Sequence, residues 1–471
     1  MSFYKDLKKF KKDTALVIKN NDFVDYENLI QNAEKFASKI DERSLTFILI
    51  DNDFESILAL IGIEISNSVS MLLTPNINYE ALMNLIKLYQ PDYIFLNKKK
   101  NIKLINYESI LTYYNYELLK TKKNIQKKID KELCLLQTTS GSTGSPKNVK
   151  LSNANILSNT NSIIKDLDIC SNDTTITTLP PSYVYGLSII NTHLRVGAKI
   201  VLNKSSIIEK EFWKKLLLNK VNNFGGVPYI YEILLKIGLK EELFKYLKYT
   251  TIAGGHLDNN LKVRLLDFYD KLNISLITMY GAAEATSRMS YLPPKFSRKK
   301  NGSIGIPITN GNFLLKDDNE KIIKKPHKKG ELIYEGRNVY MGYAKSFKDL
   351  ANNNDNNVLK TGDIGYFDED GFFYIVGKKS RYIKIVGNRI SLDEIEKIIY
   401  NYGYKNVCSQ QVKDTLNVYV NEKNVEKKIK SFLSKYTNLN ENLFRVNYLN
   451  SFPMTKNNKI DYSNKIFKHE N

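Results

Sequence analysis

The segment from residue 133 to residue 149 constrains this chain more than any other. An apolar strand pattern leads into a loop of hydroxyl-bearing residues and glycines, and the loop ends in one lysine. Glycines permit conformations in which several backbone N–H groups point into one concavity, while hydroxyls and a lysine add donors and positive charge. The segment therefore predicts a polyphosphate-binding loop. Its predicted binding residues are Thr139, Ser140, Gly141, Ser142, Thr143, Gly144 and Lys147.

A Walker-type loop is the obvious alternative, and the sequence excludes it. That loop needs a glycine directly before its lysine and, directly after it, a hydroxyl that binds magnesium. Here Pro146 precedes Lys147 and Asn148 follows it. A flexible Ser/Thr/Gly linker remains the other alternative for this loop taken alone.

The loop resembles the Ser-Gly-Thr-Thr-Gly-x-Pro-Lys-Gly signature of the adenylate-forming superfamily, which includes acyl-CoA synthetases and peptide-synthetase adenylation domains. Asn148 stands where that signature has glycine. Segments similar to the other signatures of the superfamily follow in the expected order. They lie at residues 254–257, 280–284, 302–307, 330–332 with 342–343, 361–363, 377–389 and 453–460.

The resemblance implies that the chain uses ATP and Mg²⁺ to activate a small-molecule carboxylic acid as an acyl-adenylate. Glu284 would engage the magnesium ion, and Lys459 would stabilise the adenylation transition state. Outside the phosphate loop, the residues expected to contact the nucleotide are Gly254, Gly255, Tyr280, Gly281, Ala283, Asp363 and Lys378.

The same resemblance implies a second half-reaction, in which a small domain turns about a hinge and presents a thiol-binding face. The hinge would be Ser380, and the thiol-side residues would be Lys384, Gly387 and Arg389. CoA is the first-choice acceptor. The alternative is phosphopantetheine on an acidic acyl carrier protein, since a basic face suits either anionic partner.

Several residues depart from the family pattern. Ala283 replaces a threonine, Lys378 an arginine, Asn458 a glycine and Tyr462 a common arginine. Lysine keeps the charge of arginine but loses its bidentate geometry. These departures leave open a second class of function, a catalytically silent nucleotide-binding protein.

The acyl pocket is expected around Tyr183, Tyr185, Gly226 and His256. Relatives that activate amino acids generally carry an aspartate in the segment that corresponds to residues 179–187, because a buried ammonium needs a paired charge. This segment contains no acidic residue. An uncharged acyl chain is therefore expected.

A chain of 471 residues is too long for one core and predicts at least two domains. We expect an α/β fold: a large amino-terminal adenylation domain of layered sheets and helices at residues 1–379, a hinge, and a small α+β carboxy-terminal domain at residues 380–471. Apolar patterns predict a strand at residues 45–50, a helix at 207–218, and a helix carrying Leu392, Ile395 and Ile399 on one face.

The net charge of +20 comes from lysines scattered along the chain, without a basic helical stripe, so nucleic-acid binding is not expected. The amino terminus lacks a signal-peptide core, and acidic residues interrupt the apolar run at residues 45–65, so a cytoplasmic protein without an integral membrane segment is expected. Cys134, Cys170 and Cys408 form no spaced pair, and all three are expected to be buried without a disulfide or zinc role.

Overall fold

The computed structural model describes residues 4–19, 22–100, 102, 104–123, 127–138, 147–353, 356–385, 388–404, 407–412, 415–437, 439–454 and 460–462, without the side chains of residues 5, 382, 384, 388, 389 and 412. These residues form two compact units. The first contains the described residues of 1–140, 145–312 and 334–359, and the second those of 313–333 and 360–471.

The α-helices of the described residues are α1 Tyr26–Ala37, α2 Phe54–Ile65, α3 Tyr79–Tyr89, α4 Asn153–Leu167, α5 Val184–Val196, α6 Lys210–Leu218, α7 Pro228–Ile237, α8 Asn259–Lys271, α9 Leu392–Asn401 and α10 Glu426–Thr437. Several of them begin with ordinary capping chemistry, in which a short polar side chain accepts from an N–H of the first turn. Asp25, Asp53 and Asn78 cap α1, α2 and α3 in this way.

The strands of the described residues are β1 Thr14–Lys19, β2 Asp22–Asp25, β3 Leu45–Leu49, β4 Val69–Leu73, β5 Tyr93–Asn97, β6 Tyr107–Tyr113, β7 Tyr116–Thr121, β8 Leu133–Thr138, β9 Asn148–Ser152, β10 Thr174–Ile176, β11 Lys199–Val201, β12 Asn223–Gly226, β13 Tyr249–Ile252, β14 Ser275–Tyr280, β15 Ser290–Tyr291, β16 Ile306–Pro307, β17 Gly311–Lys316, β18 Gly330–Gly336, β19 Tyr343–Ala344, β20 Val358–Phe367, β21 Phe373–Lys378, β22 Tyr382–Ile385, β23 Asn388–Ser391, β24 Val407–Val412, β25 Thr415–Val420 and β26 Phe444–Tyr448.

Two large sheets build the first unit. One has nine strands in the order β16-β15-β14-β13-β12-β10-β11-β1-β2, and the other has eight in the order β19-β9-β8-β4-β3-β5-β7-β6. Helices α1, α2 and α5 share one apolar cluster with strands of both sheets. Helix α2 approaches α1 closely at Gly62, where an added β-carbon would lie 2.8 Å from the Phe36 ring. The layered α/β architecture predicted from the sequence is confirmed.

The second unit has its own apolar core. Helix α9 buries Leu392, Ile395 and Ile399, as predicted, against α10 and strands β24 to β26. Strand β24 pairs antiparallel with β25, which pairs in parallel with β26. Strands β22 and β23 form a separate two-stranded ribbon. The predicted hinge at Ser380 lies within this unit, and the domain boundary at residue 379 stays a prediction.

Smaller expectations were partly wrong. The helix predicted from residue 207 begins at Lys210, because residues 206–209 form a turn in which the Glu209 side chain accepts from the Ser206 N–H. Cys134 and Cys408 are buried, but Cys170 is exposed, since it lies in the turn after α4. Within the described part of the chain, no helix is both long and apolar enough to cross a membrane.

Candidate active site

The predicted phosphate loop connects two antiparallel strands of the eight-stranded sheet. Strand β8 pairs with β9, and Thr138 lies directly opposite Asn148. The backbone therefore brings the ends of the loop together and places Lys147 at its base. The rest of the loop lies outside the described residues, and its role stays a prediction: Thr139, Ser140, Gly141, Ser142, Thr143 and Gly144.

Asn148, which stands where the family signature has glycine, uses its side chain structurally. It is fully buried, and its Nδ2 donates to the Tyr89 hydroxyl at 2.6 Å. That hydroxyl donates in turn to the Ala344 carbonyl at 2.8 Å. Burial raises the pKa of Tyr89 to about 12, so the phenol stays protonated. Asn148 thus ties the strand after the loop to α3 and β19.

Tyr343 contacts two predicted site residues at once. Strand β19 pairs with β9, with Tyr343 opposite Val149, and this places the tyrosine beside the base of the loop. The Lys147 ammonium lies 5.3 Å from the Tyr343 ring centre, and the Tyr343 hydroxyl donates to Glu284 Oε1 at 2.8 Å. Burial and the Glu284 charge raise the pKa of Tyr343. Tyr343 belongs to a segment that resembles a family signature, but it was not predicted as a site residue, because its strand pairing is what brings it to the loop.

The carboxyl ends of three parallel strands, β12, β13 and β14, meet at one edge of the nine-stranded sheet. Open α/β sheets bind ligands at such an edge. Gly226 ends β12, Gly254 and Gly255 follow β13, and Tyr280 ends β14. The structure therefore brings four predicted site residues to one edge, although they are separated by up to 54 positions in the chain.

The turn after β14 explains why glycine follows Tyr280. An added β-carbon on Gly281 would lie 1.7 Å from the Ser287 carbonyl oxygen, so no other residue fits. Ala283 begins the short 3₁₀ turn Ala283–Ala285, which carries Glu284. Among the described residues no lysine or arginine forms an ion pair with Glu284. A carboxylate whose charge is not neutralised fits a hard divalent cation such as Mg²⁺.

Tyr185, one of the predicted pocket residues, is buried, and its hydroxyl lies 2.8 Å from the Thr251 carbonyl, to which it donates. Tyr183 lies beside it, with ring centres 6.4 Å apart, whereas His256 is exposed. Arg288 was not predicted from the sequence, yet its guanidinium lies 3.7 Å from the Tyr185 ring centre. The sequence signal that could have identified Arg288 is that it is the only charged residue at positions 285–292.

Asp363 and Lys378 lie opposite each other on β20 and β21 in the second unit. Lys378 Nζ lies 2.6 Å from Asp363 Oδ1; the aspartate is buried, and the lysine side chain is 59% exposed. A carboxylate offers only acceptors, which suits the predicted contact with two ribose hydroxyls. Ser380 is exposed in the 3₁₀ turn Lys379–Arg381.

The thiol-side segment is a two-stranded ribbon, with Lys384 opposite Arg389 along the backbone. The side chains of both residues, together with Gly387 and Lys459, lie outside the described residues. Their roles stay predictions. The ends of the Lys459 segment are described: Met454 forms a bridge with Ile460.

One cluster joins the end of this segment to the neighbour of the hinge residue. The Tyr462 hydroxyl donates to Glu396 Oε2 at 2.9 Å, and the Arg381 guanidinium lies 4.0 Å from the Tyr462 ring centre. Arg381 also forms ion pairs with Asp393 and Glu396. We call these four residues the Arg381 clamp. Tyr462, which replaces a common arginine of the family, is thus held by a charge network.

Comparisons with known proteins agree with this geometry. The chain is 28% identical over 269 residues to an oxalate–CoA ligase from Arabidopsis thaliana, covering 56% of this chain and 51% of the relative. It is 28% identical over 283 residues to a 2-succinylbenzoate–CoA ligase from Bacillus pumilus, covering 59% and 56%. A long-chain-fatty-acid–CoA ligase from Bacillus subtilis is 30% identical over 281 residues, covering 58% and 49%. The chain thus spans about half the length of these relatives.

Solved structures share the fold over nearly the whole chain. ATP-bound MatB from Rhodopseudomonas palustris matches with a TM-score of 0.80 at 17% identity, covering 98% of this chain and 97% of that one. O-succinylbenzoate coenzyme A synthetase (MenE) from Bacillus subtilis, in complex with ATP and magnesium ion, matches with a TM-score of 0.74 at 20% identity, covering 98% of each chain. A family model described as AMP-binding enzyme matches residues 3–344. The chain therefore belongs to the AMP-binding enzyme family.

Proposed function

We propose that this protein is an ATP-dependent acid–thiol ligase that works through an acyl-adenylate, with CoA as the acceptor. The observation that carries the proposal is the contact set of Tyr343. One side chain there links a lysine at the base of the phosphate loop to a carboxylate suited to magnesium. The relatives' names, which are those of CoA ligases, give further support.

The proposed reaction has two steps. In the first, a carboxylate oxygen of the acid attacks the α-phosphorus of ATP, a new phosphorus–oxygen bond forms, and the bond to pyrophosphate breaks. In the second, a thiolate sulfur attacks the acyl carbonyl carbon and AMP leaves. Neither step needs a side-chain nucleophile, since the carboxylate is already ionised at neutral pH. Positioning and fixed positive charge then supply most of the catalysis.

The described residues divide this work. Lys147 would place positive charge beside the phosphates, and Glu284 would hold Mg²⁺, which neutralises phosphate charge when bound. Asp363, which forms an ion pair with Lys378, would accept hydrogen bonds from the ribose hydroxyls. Lys459 would stabilise the first transition state. After rotation about Ser380, Lys384 and Arg389 would meet the thiol. Phosphopantetheine on an acidic carrier protein is the alternative acceptor.

Exchange of label between pyrophosphate and ATP tests the first half-reaction. Exchange that depends on a carboxylic acid is expected, because it requires reversible adenylate formation. Binding of ATP without exchange, over a broad panel of acids, would instead identify a catalytically silent nucleotide-binding protein.

Two substitutions test the division of labour. Lys459→Ala should slow adenylate formation about a hundredfold, the usual scale for losing one preorganised charge, and should still convert supplied acyl-adenylate to thioester. Arg389→Ala should slow the conversion of acyl-adenylate to thioester and leave adenylate formation intact. Lys427→Ala, which removes an exposed lysine of α10, is the matched control. Equal damage to both half-reactions by each variant would favour a site with a single conformation.

A further inference from the structure

Arg288 is a buried cation without an acidic partner. Only 4% of the residue is exposed. Its Nε donates to the Met279 sulfur at 3.3 Å, and its Nη1 donates to Ser287 Oγ at 2.8 Å. No aspartate or glutamate in the described part of the chain lies within ion-pair distance. A guanidinium stays charged in proteins, and a buried charge is costly unless an opposite charge pairs with it.

A small cavity of about 20 Å³ lies beside Arg288. A water needs roughly 10–15 Å³, so the cavity has room for one or two water-sized groups, about the size of the two oxygens of a carboxylate. His193 and Tyr249 line the same cavity, and among the described residues neither His193 Nε2 nor the Tyr249 hydroxyl has a hydrogen-bond partner. Buried polar atoms are nearly always paired, so these two atoms could each bind a further group.

The chemistry of these groups favours an anion. The Tyr249 hydroxyl can donate, and the guanidinium of Arg288 retains donors for a second, bidentate contact. His193 Nδ1 lies 2.8 Å from the Ile189 carbonyl and so carries the proton, leaving Nε2 toward the cavity. Burial lowers the pKa of His193, so the donors toward an anion come from Arg288 and Tyr249.

Contacts through two tyrosines link Arg288 to one of the predicted nucleotide-binding loops. An added β-carbon on Gly254 would lie 2.4 Å from the Tyr183 hydroxyl, so Tyr183 touches the loop that follows β13. Tyr183 neighbours Tyr185, and Arg288 lies against the Tyr185 ring. Arg288 therefore belongs to the group of side chains that packs behind the Gly254 loop.

We propose that the acid substrate carries a second carboxylate, which Arg288 binds while the first is adenylated. This proposal rests on the proposed ligase function and names its substrate class. It replaces the expectation of an uncharged acyl chain. That expectation was based on the absence of an acidic residue at 179–187, whereas Arg288, from a distant segment, places a basic charge against Tyr185, one of the predicted pocket residues.

The experiment measures pyrophosphate exchange with three matched acids at each chain length: the α,ω-dicarboxylic acid, its monomethyl ester and the simple monocarboxylic acid. In the unmodified protein, kcat/KM for the best dicarboxylic acid should exceed that for its ester by at least about thirtyfold, because the ester leaves the buried cation unpaired. This comparison needs no variant. Equal or better activity with the ester or the monoacid overturns the proposal.

Arg288→Met removes the charge and keeps an apolar side chain of similar length. It should lower kcat/KM for the dicarboxylic acid about a hundredfold and change the value for the monoacid by less than about threefold. Arg298→Met is the control, since Arg298 pairs with Asp267 and Asp270 at the surface. Equal losses for both acids, in a variant that still binds ATP, would assign Arg288 to packing against Tyr185 alone.

The two proposals fail in different ways. Exchange with monoacids but without preference for dicarboxylic acids refutes the substrate class and leaves the ligase function in place. Absence of exchange with every acid refutes the ligase function and, with it, the substrate class.

Discussion

Replacing Tyr343 by phenylalanine separates two contacts that this side chain makes. The hydroxyl, which donates to Glu284, is lost, whereas the ring beside the Lys147 ammonium is kept. Replacement by leucine removes both contacts. If the tyrosine orients the magnesium-binding carboxylate, the phenylalanine variant should need more Mg²⁺ for half-maximal pyrophosphate exchange.

The expected size follows from exposure. A hydrogen bond to a charged group contributes about 1.5–3 kcal/mol. Tyr343 is 37% exposed, so solvent competes and the lower end applies. About 1.4 kcal/mol corresponds to a tenfold change, so the phenylalanine variant should need about tenfold more Mg²⁺ for half-maximal exchange. A cation–π contact at such a site contributes about 0.5–1 kcal/mol, so the leucine variant should lose a further two- to fivefold.

The pH dependence of this effect has a defined sign. The pKa of Tyr343 is raised, first by burial and then by the Glu284 charge, so the hydroxyl remains a donor above the ordinary tyrosine range. The Mg²⁺ concentration for half-maximal exchange should therefore differ between the phenylalanine variant and the unmodified protein by the same factor from pH 6 to about pH 9. Tyr79→Phe, at an exposed tyrosine, is the control. Unchanged magnesium dependence in Tyr343→Phe would refute the orienting role.

Three further outcomes are expected. Asp363→Asn should raise KM for ATP about 10- to 100-fold in exchange kinetics, because the acceptor-only carboxylate beside Lys378 is lost; an unchanged KM would exclude it from the ribose site. Asn148→Gly should lower the melting temperature by a few degrees, since the hydroxyl of buried Tyr89 loses its donor, and an unchanged value would contradict this. Burial lowers the pKa of Lys262 from 10.5 to about 8, so the unfolded chain binds more protons in that window. The difference in stability to urea between the unmodified protein and Lys262→Met should therefore shift by about 2–3 kcal/mol in favour of the unmodified protein from pH 8 to pH 10, and a difference that does not change with pH would be the contrary result.

The features of the fold that were predicted correctly come from local sequence patterns. The spacing of Leu392, Ile395 and Ile399 predicted the buried face of α9, because side chains three and four positions apart share a face of a helix. Likewise, the motif order placed Tyr280 and Glu284 directly after a strand, and β14 ends at Tyr280. Such features depend on neighbouring residues and can be read from a single sequence.

The features that were missed depend on contacts between distant segments. Arg288 lies on Tyr185, about 100 positions earlier in the chain, and nothing near either residue predicts the contact. Asn148 was noted only as a departure from glycine, since its partner Tyr89 lies on another element. A single sequence gives residue types and spacing, but it does not give the pairing of sheet strands that brings such residues together.

The Arg381 clamp bears on how the proposed rotation could evolve. Arg381, Asp393, Glu396 and Tyr462 all lie after the predicted pivot, Ser380, so a turn about that residue would move them as one body. Tyr462 would therefore keep a fixed position relative to Arg381, the residue next to the pivot. Substitutions at Ser380 would then change how often the rotation occurs, while the distances within the Arg381 clamp stay constant.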